Sequence, residues 1–102
     1  MIHVIATIEL SAGGRDSFLA EFRQLVPKVL QEEGCIEYGP TIDVETQISA
    51  QPPPRADVVT VVEKWANLEC LEAHLIAPHT KEFRGKVQQF VERTTLFVLQ
   101  PV

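Results

Sequence analysis

Glu63 and Trp65 stand two residues apart in the run Val58-Val59-Thr60-Val61-Val62-Glu63-Lys64-Trp65, so in a β-strand their side chains share one face. A carboxylate beside an indole in a strand this apolar must find a partner or shift its pKa upward, and a raised carboxyl is what general-base work near neutral pH requires. The structural alternatives are a strand-end Glu that reaches water or an arginine, and a tryptophan that is plain core packing. His74 and His79 follow, five residues apart with Pro78 between them. That is not the i, i+4 spacing that puts two ligands on one helical face, so no metal site is expected from the pair. A bend at Ala77-Pro78 could still bring them together, as proton carriers or as hydrogen-bonding core histidines. Tyr38 adds a phenol on a second strand, and Arg84 a cation beyond His79. No G-x-G-x-x-G, P-loop, H-E-x-x-H or nucleophile elbow occurs, which leaves nucleotide, flavin and zinc-hydrolase chemistry without support.

The elements that must position these residues follow from periodicity. Ile2 to Glu9 is a β-branched run closed by Ser11-Ala12-Gly13-Gly14 and predicts a first strand. From Arg15 to Glu33 the apolar residues Phe18, Phe22, Leu25 and Val29 recur at three and four, an amphipathic helix ended by Gly34. Pro27 inside it removes a backbone donor and predicts a kink or break between Arg23 and Pro27. Ile36, Tyr38, Ile42 and Val44 share one parity and predict a second strand interrupted at Gly39-Pro40, followed by a loop through Gln51-Pro52-Pro53-Pro54-Arg55. Residues 58 to 65 form the strongest strand, apolar at both parities and therefore expected to be buried on both faces. Asn67 caps a short helix carrying Leu68, Leu71 and Leu75, and Pro78 starts another that runs to about Glu92. Thr94 to Gln100 is the last strand, stopped by Pro101.

The order strand, helix, strand, strand, helix, strand suggests an α+β fold, a ferredoxin-like split βαβ with an antiparallel sheet. Helices cover one face of such a sheet. Strands one and three carry apolar residues on the other face too, and a chain of 102 residues has no second helical layer to cover it. A second copy, sheet against sheet, is the economical answer, so a homodimer is expected.

Composition bounds the rest. One domain spans residues 1–102. Nine Lys plus Arg against fourteen Asp plus Glu give a net charge of −5, and no two basic residues are adjacent, so the stripe that neutralises phosphates is missing. No nucleic-acid partner is expected. Without a basic leader or an apolar run of about 20 residues, no membrane partner is expected either, and the chain reads as cytoplasmic. Cys35 and Cys70 have no C-x-x-C spacing and read as buried free thiols.

The stretch Val61-Val62-Glu63-Lys64-Trp65 through Leu71-Glu72-Ala73-His74-Leu75 and Pro78-His79 resembles the antibiotic biosynthesis monooxygenase family, and within it the bacterial quinol monooxygenases. Val4-Ile5-Ala6, the run Val26-Pro27-Lys28-Val29-Leu30-Gln31-Glu32-Glu33-Gly34-Cys35 and Leu99-Gln100-Pro101 extend the similarity over the whole chain. The resemblance implies a dimeric α/β barrel with a pocket in each chain between sheet and helices. It also implies a monooxygenase that needs no metal, flavin or haem and oxidises a small quinol or polycyclic phenol with dioxygen. An electron-rich phenolate can itself give an electron to dioxygen, so the protein need only bind, desolvate and deprotonate it. Expected catalytic residues are Glu63, His74 and His79, and expected substrate-binding residues Trp65, Thr7, Tyr38 and Arg84. Some polyketide-oxidising members carry asparagine and tyrosine where this chain has Val61 and Leu71, and haem-degrading members carry asparagine where it has Thr7. The alternatives within the family are an enzyme that isomerises or degrades a phosphorylated signalling sugar and a non-catalytic binding module.

Overall fold

In the computed structural model, which describes all residues 1–102, alternation of side chains in two strands fixes one apolar surface and the helices close over it. β1 (Ile2–Leu10) buries Val4, Ala6, Ile8 and Leu10, and β3 (Val58–Trp65) buries Val59, Val61, Glu63 and Trp65. The two pair antiparallel with Val4 opposite Glu63 and Ala6 opposite Val61, so both buried rows lie on one face. β2 (Cys35–Thr41) and β4 (Val91–Leu99) flank them in the order β2-β3-β1-β4, all antiparallel, which is the expected ferredoxin-like sheet.

Helix α1 (Arg15–Leu30) lays Phe18, Leu19, Phe22, Leu25 and Val29 on that face. The expected break at Pro27 does not occur. Pro27 sits in the last turn and both it and Arg23 are exposed, so water can satisfy the Arg23 carbonyl that loses its partner. The helix also stops three residues before Glu33. The chain then turns through Gly34 at φ +77°, where a Cβ would run into Cys70. α2 (Leu68–Leu75) is capped as expected, with Asn67 Oδ1 accepting from the Cys70 amide at 2.9 Å. α3 (Pro78–Val87) begins on Pro78 but ends five residues short of Glu92, and β4 takes up the chain from Val91.

Four further expectations need correction. Gly39 and Pro40 do not interrupt β2, because it is an edge strand where a missing donor costs no ladder bond: Gly39 pairs with Val62 and Pro40 with Val61. A bulge between Cys35 and Glu37 breaks the assumed parity, leaving Ile36 55% exposed while Tyr38 is buried, and β2 ends at Thr41 rather than running on to Val44. β3 is buried on one face only within the single chain, since Val58, Thr60, Val62 and Lys64 alternate as half-exposed residues. Residues 42–57 form a loop tied by Arg55, whose Nε and Nη2 donate to the Asp43 carboxylate at 2.8 and 3.0 Å. Cys35 and Cys70 are free thiols, half-buried rather than buried. No helix is long and apolar enough to cross a membrane.

Candidate active site

Between the sheet and α1 and α3 lies a cavity of about 380 Å³ with mostly apolar walls. Phe18 and Phe22 reach it from α1, Ala6, Ile8 and Val61 from the sheet, and Phe83 and Val87 from α3. The size and lining suit a small aromatic molecule. The aromatic residues also brace one another: Phe83 meets Phe18 and Phe22 edge-on at 5.6 and 5.4 Å, and Tyr38 stacks on Phe22 at 5.5 Å.

Four of the seven expected site residues line this cavity: Glu63, His74, Tyr38 and Arg84. Glu63 is 5% exposed, and burial pushes its carboxyl up to about 7, against the hydrogen bond that its Oε1 accepts from Trp65 Nε1 at 2.9 Å. Trp65 itself is fully buried and does not line the cavity. It lies at the end of β3 beside Ile2 and Cys35, with its ring tilted against His74 at 4.8 Å, so it packs and orients the site from behind rather than walling it. Tyr38 is buried with its phenol pushed well above the usual range, by desolvation first and then by the charges of Glu63 and Glu32. Thr7 stands on the opposite parity of β1 from Ala6 and Ile8 and faces away from the helices, so it takes no part in this cavity. His79 is also outside it, in a shallow outer cleft with Glu21, Lys28 and Glu82.

The residue that the sequence reasoning missed as a site member is Glu32. The turn after α1 carries its carboxylate to His74 Nδ1, at 3.2 and 2.9 Å, and its Oε2 to His79 Nε2 at 2.6 Å. A carboxylate accepts only, so His74 must carry its proton on Nδ1 and leave Nε2 free to accept. Burial lowers the His74 pKa in spite of the Glu32 bond, which keeps the ring neutral and able to take a proton. The two histidines therefore meet on a carboxylate as hydrogen-bond donors, and no group of three or more His, Cys, Asp or Glu side chains is arranged to hold a metal. Thr80, also overlooked, lines the cavity with a buried hydroxyl that has no partner. Its spacing of four from Arg84 is a signal that could have found it. Glu32 offered none, since 42 and 47 residues separate it from its partners.

A sheet of this order with helices on one face is shared by many solved structures. A protein from Methanosarcina mazei Go1 superposes with a TM-score of 0.82 over 97% of this chain and 90% of that one, at 23% identity. PA3566 from Pseudomonas aeruginosa gives 0.82 over 99% and 93%, at 22% identity. At these identities the likeness establishes the fold. Sequence goes further: residues 1–86 match the family model described as antibiotic biosynthesis monooxygenase, and the chain belongs to that family. It is also 37% identical, over 99% of its own length and 98% of the relative's, to the protein of Escherichia coli K12 named "Probable quinol monooxygenase YgiN".

Proposed function

We propose that this protein is a cofactor-independent monooxygenase that oxidises a small quinol or polycyclic phenol with dioxygen, and that His74 is its general base. The observation that carries the reading is the Glu32-to-His74 pair at the wall of an apolar cavity, with Nε2 of a neutral imidazole left to accept a phenolic proton. The quinolate so formed gives one electron to dioxygen, and the two radicals join in a C–O bond. The hydroperoxide then loses water: one oxygen stays on the ring, the other leaves with two protons, and the product is a hydroxyquinone. Departure of hydroxide from the O–O bond calls for a proton, which a carboxyl poised at about 7 such as Glu63 can hold and deliver. Trp65 acts through Glu63 by fixing one of its oxygens. A cavity with mostly apolar walls and one guanidinium favours this reading over a phosphorylated sugar, which calls for a wider cationic cradle.

The test is oxygen uptake with 1,4-dihydroxynaphthalene in the presence of a metal chelator. We expect His74→Ala to lower the turnover rate on the order of a hundredfold or more. Glu32→Gln should lower it less and move the acidic limb of the pH profile to lower pH, because it removes the carboxylate that supports the protonated imidazole and loosens the tautomer without removing the base. His79→Ala, outside the cavity, should leave the rate near normal. Uptake abolished by the chelator, or unchanged in His74→Ala, would overturn the assignment.

A further inference from the structure

One wall of the cavity is polar in a regular way. Thr80 and Arg84 on α3 and Gln88 at its C-cap recur every four residues and all three line the cavity, so they form one stripe from its interior to its mouth. At the inner end Thr80 is 5% exposed and its hydroxyl has no hydrogen-bond partner, although a helical threonine ordinarily turns its hydroxyl onto a carbonyl of the preceding turn. A buried hydroxyl left unmatched costs free energy, and a bound molecule that hydrogen-bonds to it removes that cost. One turn on, the Arg84 guanidinium is exposed at the rim and makes no ion pair. Its charge nonetheless reaches the site, where it works to lower the pKa values of Tyr38 and His74. The acidic groups nearby are elsewhere: Glu63 rises from the sheet, and Glu32 is engaged by the two histidines.

We propose that Thr80 and Arg84 together form a carboxylate-binding wall, and that the substrate is a hydroxyaromatic acid rather than a neutral phenol. The guanidinium takes the carboxylate in a charge-assisted pair at the mouth and the Thr80 hydroxyl donates to it from below. This orients the ring so that its hydroxyl faces the sheet side, where His74 lies. A single cation matches a single negative charge. The proposal rests on the reading of this cavity as the substrate site, and it is tested by binding alone so that it stands or falls apart from the oxygenase chemistry.

The probes are 6-hydroxy-2-naphthoate and its neutral parent 2-naphthol, titrated calorimetrically against the full chain at pH 7.5. The acid should bind at least roughly tenfold more tightly, as expected of a hydrogen bond to a charged group. Arg84→Gln should reduce the preference to the several-fold share that the Thr80 hydroxyl supplies, with the far-ultraviolet circular dichroism of the parent showing that the variant is folded. Thr80→Val, close to isosteric, should weaken the acid several-fold without lowering the melting temperature, since it removes a hydroxyl that the free protein leaves unmatched. Equal affinity of the two probes, a preference undiminished in Arg84→Gln, or failure of both to bind would overturn the proposal. A preference for the acid, with oxygen uptake from neither 1,4-dihydroxynaphthalene nor its 2-carboxylate, would uphold the wall and defeat the oxygenase reading. Uptake with the neutral quinol but no preference would do the reverse.

Discussion

Glu63 enters the folded protein at a cost that depends on its charge. Its carboxyl ionises near 4.5 in an unfolded chain and at about 7 in the fold, where desolvation outweighs the bond from Trp65. Between those two values the folded state binds more protons than the unfolded state, so stability must fall as pH rises from 4.5 to 7 and level off above. The shift bounds the effect at about 3 kcal/mol. His74 slopes the other way: its folded pKa lies below 6.5, so the stability it contributes is present above 6.5 and is lost as pH falls through the lowered value. Urea unfolding across pH 4 to 9 separates the two. Glu63→Gln should abolish the decline above pH 4.5 and be more stable than the parent at pH 8; a decline of equal size in the variant would show that another group is its source.

At the scale of elements, Gly34 lets α1 end where it does and Glu32 point where it does. Its φ of +77° is costly for any side chain with a Cβ, and that Cβ would strike Cys70 on α2. Gly34→Ala should therefore destabilise by roughly 2–4 kcal/mol, combining the backbone penalty with overpacking. Thermal melts should show Cys70→Ala restoring part of the loss, because it removes the sulfur but leaves the Cys70 Cβ in place. The same turn explains what was legible in the sequence and what was not. The order of elements that suggests the sheet, the shared face of Glu63 and Trp65, the Asn67 cap and the Pro78 start all follow from sequence pattern. Tyr38 was legible as a residue, but the bulge beside it was not, because a bulge changes parity without changing composition. Glu32 stood in the sequence only as part of the run at the end of the first helix, and only the folded chain closes the gap to His74 and His79. Thr7 was read against its own parity: the alternation that buries Ala6 and Ile8 already turned it away.

For the molecule as a whole, the bare surface is concentrated on β4. Leu96, Phe97, Val98 and Leu99 are 42%, 57%, 47% and 47% exposed, so both faces of the strand are uncovered. Phe97 pairs with Ile5 on the face without helices, and Leu96 and Val98 lie beyond the reach of the helices on the other. We expect two copies to associate through these surfaces, with light scattering at micromolar concentration giving twice the 11.4 kDa chain mass. Phe97→Glu should yield the single-chain mass while keeping the far-ultraviolet circular dichroism of the parent; a parent that scatters as a monomer would refute the arrangement. The two sides of the sheet differ in a way that bears on how far such joining can go. β2, the other edge, carries Pro40, a bulge and Glu37, three features that deny an incoming strand a regular ladder. Fibres grow when each added unit offers a fresh template, and this sheet has one receptive border and one sealed border. Whatever joins the β4 side, the β2 border offers a further strand no regular ladder, and it acts as a built-in chain terminator against fibre growth.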